Sequence, residues 1–368
     1  MKIPSEFQPS KIYEIKSQIK WVKLLATYLV SPILSLIRLI LFVPIFVLFY
    51  ASGEFFKYLR TKISVSYFQK IRIIERVVLK TLAYLILFIF GVFKVQFILS
   101  LQPNLFNNDL RKERTQKNKE NQKDEEKEKE KEKEKEKRKE IKYTQKELIE
   151  FTTSDGDLII SNHISILEIF FLTAQHAPVF TGICKKAGNV VPITAGKAVI
   201  DTLLNNHYLN NQTDCVPFSD LIGKTQKQFL GPIVVFPEGT TSNGKSLLQF
   251  TPVFENWTKY AEKDSESSSQ IIPICFKCNR NFFTNKRFVP IFTLGNSFRF
   301  LYNLCSQPIN KIKIIRMHPQ SIPFEPLKED SLEKNQWAEE LRAEMCNVFK
   351  LKSSKIGAND KYLLLGKL

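Results

Sequence analysis

The sequence predicts an α/β domain with a mixed, largely parallel sheet flanked by helices, preceded by N-terminal hydrophobic membrane helices. Three observations predict it. From about residue 143 onward, short apolar strand-like runs alternate with helix-like ones. The first hundred residues hold long apolar runs with lysines at their flanks. Between the two lies a charged tract that cannot bury a core.

Residues 22–50 are almost continuously apolar, broken by Arg38, Pro32 and Pro44. A straight span needs roughly 20 apolar residues. The prolines, the central Arg38 and the basic flanks therefore predict a bent or re-entrant segment that enters and leaves on one side. Residues 77–93 form a second run, borderline for a span and equally suited to lie in the interface. No small-residue cleavage site follows, so a cleaved signal peptide is not expected. These runs define a membrane-anchoring region over 1–106, with apolar segments at about 22–51 and 77–100. Residues 107–142 are a linker or insertion, and 143–368 are the α/β domain.

Charge supports the same division. The net charge is +17, which raises nucleic acid or an anionic membrane as partner. Residues 111–140 hold 14 basic and 11 acidic residues and contribute only +3. Much of the excess flanks the apolar runs instead, as at Lys57, Arg60, Lys62, Lys70, Arg72 and Arg76, and reads as headgroup contacts. The 30 phenylalanines, many within the first hundred residues, also point to lipid contact. No recognition helix, zinc finger or RNP pattern is present, so nucleic acid is not an expected partner.

Six cysteines stand at 184, 215, 275, 278, 305 and 346. Cys275 and Cys278 form a lone CxxC without two further ligands at zinc-site spacing, so no metal is expected. Free, unpatterned thiols predict a reducing compartment.

Within the α/β domain, strands are expected at 157–161, 214–218, 232–236, 271–276 and 311–318. A helix is expected at 164–175, and another from about 331 to 350. The latter has Asp330 and Glu333 in capping-box positions and Trp337, Leu341, Met345, Val348 and Phe349 on one face.

Two clusters carry chemistry. In Ser161-Asn-His163-Ile-Ser-Ile-Leu-Glu168, a histidine follows a strand and a carboxylate follows the histidine by five positions. Histidine is the natural base near neutral pH, and a carboxylate on its second nitrogen fixes the tautomer. Positions five apart face differently on a regular helix, so His163 must sit in the turn and Glu168 in the first helical turns. A helix-start histidine that merely caps is the plainer alternative. The second cluster, residues 234–246 (Val-Val-Phe-Pro-Glu-Gly-Thr-Thr-Ser-Asn-Gly-Lys-Ser), runs from a strand into a turn whose N–H groups suit an anion. An ordinary strand-end turn is the plainer alternative here.

In this order, about 75 residues apart, the clusters resemble the glycerophospholipid acyltransferase family, with its His-x4-Asp and Phe-Pro-Glu-Gly-Thr-Arg-Ser motifs. Residues 271–274 and 214–219 occupy the places of two weaker family motifs. The resemblance covers roughly residues 145–350. The continuation after Thr240 is most similar to a fungal branch, the oleoyl-CoA-using lysophosphatidate acyltransferases of endoplasmic reticulum and lipid droplets. It implies His163 as base and Glu168 as its partner. Glu238, Gly239, Thr240, Thr241 and Lys245 would hold the acceptor. It also implies acyl-CoA as co-substrate, a lysophospholipid as acceptor, a membrane or lipid-droplet surface as partner, and no metal, cofactor or covalent intermediate.

Three departures stand out. Glu168 replaces the family's Asp, Thr241 replaces its Arg, and Ser219 and Asp220 follow Phe218 where another Arg is expected. Two phosphate-pairing guanidiniums are thus absent, with Lys224 and Lys245 as candidate substitutes. The resemblance implies lysophosphatidate acylation; another lysophospholipid, or a scaffold that kept the fold without the activity, are the alternatives. His176, His207 and His318 lack carboxylates at a suitable spacing and are expected to be structural. The sequons at Asn211 and Asn256 carry no expected role on a cytosolic domain.

Overall fold

A computed structural model describes residues 30–100, 153–206, 208–209, 214–255, 269–279, 290–292, 296–318, 322 and 336–366. Two long helices come first, α1 (Ser31–Lys62) and α2 (Val65–Ile89), followed by strand β1 (Lys94–Ser100). After residue 153 come β2 (Leu158–Ser161), α3 (Leu167–His176), β3 (Val179–Cys184), β4 (Asn189–Ile193) and α4 (Ala195–Leu203). Then follow β5 (Tyr208–Leu209), β6 (Val216–Pro217), α5 (Phe218–Lys227), β7 (Ile233–Val235) and β8 (Ser246–Leu247). The chain continues through β9 (Ile271–Asn279), α6 (Ser297–Ser306) and β10 (Lys311–Met317). It closes with α7 (Gln336–Phe349), β11 (Lys352–Ser353) and α8 (Ala358–Leu364).

Among the described residues the main sheet has the order β1-β10-β9-β2-β7-β3-β4-β6, with β5 also on β3. β2 runs parallel to both β7 and β9, and β3 parallel to β7. The pairs β10–β9, β3–β4 and β4–β6 are antiparallel, so the sheet is mixed but mostly parallel. Central strands must be apolar on both faces when helices cover both. Accordingly Ile159 and Val234 join one core cluster, whereas Leu158, Ile160, Ile233 and Val235 join the other. The first cluster lies under α1, α2, α3, α4 and α6; the second lies under α5 and α7. On α7, Trp337, Leu341, Met345, Val348 and Phe349 are buried as the periodicity predicts. The capping residues Asp330 and Glu333, the 107–142 tract, His207, Asn211 and Asn256 lie outside the described residues.

The N-terminal region departs from expectation. α1 is one continuous helix through Pro44, and the reversal comes at residues 63–64, where α2 turns back along it. Arg38 does not break the apolar run. Its guanidinium donates to the carbonyls of Cys305, Gln307 and Pro308 at and just past the carboxyl end of α6. Residues 94–100, read as the tail of an apolar membrane segment, pair with β10 as an outer strand of the sheet. The apolar composition of a strand buried on one face and that of a lipid segment overlap too far for sequence to separate them.

The phenylalanines divide in the same way. Phe170 of α3 sits 5.5 Å from Phe49, 6.1 Å from Phe90 and 6.5 Å from Phe42 between ring centroids. Much of the aromatic excess therefore fastens the helical pair to the domain, each contact adding about 0.5–1.5 kcal/mol beyond burial. The outward face of the pair stays apolar and exposed at Ile33, Leu36, Ile40 and Val47 of α1 and at Ile74 and Phe88 of α2. Among the described residues, α1 alone is long and apolar enough to cross a bilayer.

The cysteines also depart from expectation. Cys184, at the end of β3, and Cys215, just before β6, form a disulfide. β4 lies between β3 and β6, so a 31-residue separation closes across the sheet. The expectation of a reducing compartment rested on free thiols, and this pair removes that ground. Cys275 and Cys278 fall on opposite faces of β9, one in each core cluster, and cannot share a ligand.

Candidate active site

The parallel strands β2 and β7 end side by side, and each runs straight into one of the two motif turns. Their adjacency brings together residues about 75 positions apart. Asn162 clamps the end of β2 to β9, its amide donating to Phe276 O at 3.1 Å and accepting from Phe276 N at 2.7 Å. His163 follows, outside the helix, and Glu168 lies in the first turn of α3. Glu168 Oε1 is 2.7 Å from His163 Nδ1 and accepts from the N–H groups of Ile164 at 2.6 Å and Ser165 at 2.7 Å. The extra methylene relative to Asp thus lets one oxygen cap the helix and orient the imidazole together.

Both partners are buried. Burial, with a smaller contribution from the Lys361 charge, holds His163 well below the usual histidine range, so its imidazole is neutral. Burial raises Glu168 above the usual carboxylate range, opposed by the Ser165 and Ile164 N–H groups. With Nδ1–H directed at Glu168, the lone pair sits on Nε2, and that atom lies 3.1 Å from Thr202 Oγ1 of α4. The imidazole also stacks on Phe236, 4.2 Å between centroids and 18° between planes.

The second turn wraps the first. Glu238 Oε1 accepts from His163 N at 3.0 Å and Oε2 from Leu248 N at 2.9 Å. Ser242 N donates to His163 O at 2.7 Å. Glu238, which the resemblance places on the acceptor headgroup, has both oxygens engaged by backbone N–H groups and braces the histidine turn. Its burial pushes its pKa up to about 7. Gly239, at φ +62°, takes the left-handed conformation that turns the chain here. Thr240 lines the cavity at His163, and its buried Oγ1 has no hydrogen-bond partner among the described residues. A hydroxyl in that state suits a polar substrate atom. Thr241 faces away, its O and Oγ1 accepting from Lys361 Nζ at 2.9 and 2.7 Å. Lys245 is exposed at the surface.

Lys361 is the functional candidate that motif reading missed. It comes from α8, 120 residues beyond Thr241, and brings a buried cation to the turn that lacks the arginine. Tyr362 beside it reaches Gly239 O at 3.4 Å. No local pattern around residue 361 signals this; only docking of the last helix onto the turn creates it. Lys224 is not a substitute: it lies at the far end of α5 and lines a cavity at the opposite edge of the sheet. Residues 214–220 do not line the cavity at His163. His176 is the last residue of α3, its Nδ1 3.1 Å from Thr153 Oγ1.

The cavity around His163 is small, about 20 Å³, with walls from β3, α4 and the Phe236–Thr240 turn. Asp201 of α4 also lines it, joined to Lys197 at 2.6 Å. Among the described residues no cluster of metal-ligating side chains is present. Chemically the site offers a neutral base, a carboxylate behind it, an unpartnered hydroxyl and a nearby cation.

No family model matches the chain. No solved structure matches it. It is similar to two curated proteins. One is named "Putative lysophosphatidic acid:oleoyl-CoA acyltransferase", from Schizosaccharomyces pombe, 29% identical over 123 residues, 33% of this chain and 37% of that one. The other is lysophospholipid acyltransferase LPEAT1 of Arabidopsis thaliana, 26% identical over 213 residues, 55% of this chain and 47% of that one. The chain thus spans less than half the length of each of these curated relatives.

Proposed function

We propose that this protein is an acyl-CoA-dependent acyltransferase that acylates a lysophospholipid, with lysophosphatidate as acceptor and phosphatidate as product. The observation that carries it is the His163–Glu168 contact at 2.7 Å, beside a cavity that His163 lines together with Thr240. The names of the two relatives support the same reaction class.

In this reading His163 Nε2 removes the proton from the acceptor's free glycerol hydroxyl as its oxygen attacks the thioester carbonyl. Glu168 balances the imidazolium that forms. The tetrahedral intermediate collapses with breakage of the carbon–sulfur bond, and the imidazolium returns its proton to the departing CoA thiolate. The acceptor hydroxyl takes the place that Thr202 Oγ1 now holds at Nε2, so α4 must give way as substrate binds. Thr240 Oγ1 contacts the acceptor, and the Lys361 charge, held on Thr241 behind the turn and felt at His163, adds positive potential near its phosphate. The exposed apolar face of α1 and α2 seats the domain on the lipid surface where both substrates reside, at the endoplasmic reticulum or a lipid droplet.

A second reading, a scaffold without activity, draws on the 20 Å³ cavity and the occupied Nε2. Purified full-length protein in detergent, given radiolabelled oleoyl-CoA and a panel of lysophosphatidate, lysophosphatidylcholine and lysophosphatidylethanolamine, separates the readings. Labelled phosphatidate as main product is expected. Label in another phospholipid moves the acceptor assignment, and no labelled product from any acceptor supports the scaffold.

A further inference from the structure

At the amino ends of β3 and β7, on the edge of the sheet opposite His163, lies a cavity of about 280 Å³. The turn of the α1–α2 hairpin forms one side of it, through Gly53, Lys57, Arg60, Arg72 and Glu75. Lys224 and Gln228 at the end of α5 form the other, and Leu79, Val179, Ile193, Leu221 and Leu230 supply apolar walls. Four cations therefore line it against one carboxylate.

Arg72 and Glu75 are both more than nine-tenths buried, and their arrangement is incomplete. Glu75 Oε1 receives Arg60 at 2.5 Å and Arg72 at 2.9 Å, while Arg72 Nη2 donates to Ala177 O and Leu230 O. Arg72 Nε and Glu75 Oε2 have no partner among the described residues. A buried donor and a buried acceptor left open at one cavity are costly, about 1–3 kcal/mol each. A group that both accepts and donates hydrogen bonds and carries negative charge resolves both. The amino end of α4, Thr194 to Gly196, forms a further wall, and a helix start there favours an anion. The other acid at this rim, Glu54, is engaged by Thr194 Oγ1 at 2.7 Å.

We propose that this cavity is a second binding site, for a phosphate group, carried by an anionic phospholipid headgroup or free in solution. A phosphate suits four cations and a helix start, and its protonated oxygen suits Glu75. The apolar walls and the hairpin's exposed outer face admit the lipid as one source; free phosphate is the other. This site stands apart from the acyl-transfer reading, since none of its charged residues touches the His163 turn.

The test uses the full chain in non-ionic detergent, and acetylation of lysines is mapped by mass spectrometry. Probes are inorganic phosphate, dioctanoyl phosphatidic acid and, as control, dioctanoyl glycerol. Lys57 and Lys224 are expected to be protected by a phosphate-bearing probe relative to exposed Lys245, and not by the glycerol control. Protection by both phosphate probes assigns the site to phosphate as such; protection by phosphatidic acid alone assigns it to a lipid headgroup. The double reversal Lys57→Glu/Lys224→Glu, at two exposed positions, is expected to weaken the protecting probe's affinity by about tenfold or more. Absence of protection by both phosphate probes, equal protection by the glycerol control, or unchanged affinity in the double variant overturns the proposal.

Discussion

The two edges of the sheet use polar side chains in opposite ways. At the carboxyl ends of β2 and β7, Glu168 and Glu238 together take four backbone N–H groups and an imidazole, and the cavity they leave is about 20 Å³. At the amino ends the cavity is about 280 Å³, and Arg72 and Glu75 each keep an atom open. The end that holds His163 is thus pre-organised around one nitrogen, as the proposed chemical step requires. The opposite edge holds charge ready for a ligand. Both ends use the same kinds of residue, and what differs is how completely the fold already satisfies them.

The comparison is easiest to break at Glu168. Glu168→Gln keeps the cap but removes the charge behind the imidazole, and acyl transfer should fall by about 10²–10³-fold. Burial raises the Glu168 carboxyl, so in the wild type it carries a proton at low pH and cannot offset the imidazolium. Activity should therefore rise with pH through a limb above the ordinary carboxylate value of 4.5, and that limb should be missing in Glu168→Gln. A wild-type limb at the ordinary value, read from kcat/KM between pH 4 and 9, would contradict the buried pair.

Lys361→Met tests whether the last helix contributes to the proposed acyl-transfer site. The expected effect is about a tenfold rise in KM for lysophosphatidate, with kcat nearly kept. Equal rises for lysophosphatidylcholine would reduce Lys361 to a packing role. Glu238→Gln leaves a buried N–H facing an amide donor, and urea unfolding should show a loss of about 1–3 kcal/mol. An unchanged midpoint would mean that the two turns hold together without this brace. The smallest effect is expected from Thr202→Val, which removes the hydroxyl at Nε2 while keeping its shape. Turnover should stay within about threefold; a loss near 10²-fold would make Thr202 a participant in proton transfer.

Much of this arrangement was legible in the residues themselves. Strand-to-turn junctions at His163 and at Phe236 follow from short apolar runs ending in polar turns, and the pairing of β2 with β7 brings the two motifs into contact. The face of α7 was legible because a long helix repeats its pattern. The 179–184 and 189–193 strands were not, since Thr181, Gly182, Asn189 and Pro192 interrupt their alternation. α4 has only nine residues, too few for a period to stand out. Arg38, Arg72 and Arg76 read as headgroup contacts or breaks, yet each is tied to the domain, Arg76 through Asp155 at 2.6 Å. A cation's partner depends on tertiary contacts 79 to 270 residues away, which no window of sequence contains. The same holds for Lys361 on Thr241 and for Cys184 with Cys215.

His163→Ala removes the proposed base for acyl transfer and is the sharpest test of its role. The variant and wild type, matched for secondary structure and melting temperature, would be given radiolabelled oleoyl-CoA and the acceptor that the wild type acylates best. Labelled phospholipid is expected to fall by about 10³-fold, with the free-thiol product falling in parallel. Equal incorporation by the two proteins would contradict it.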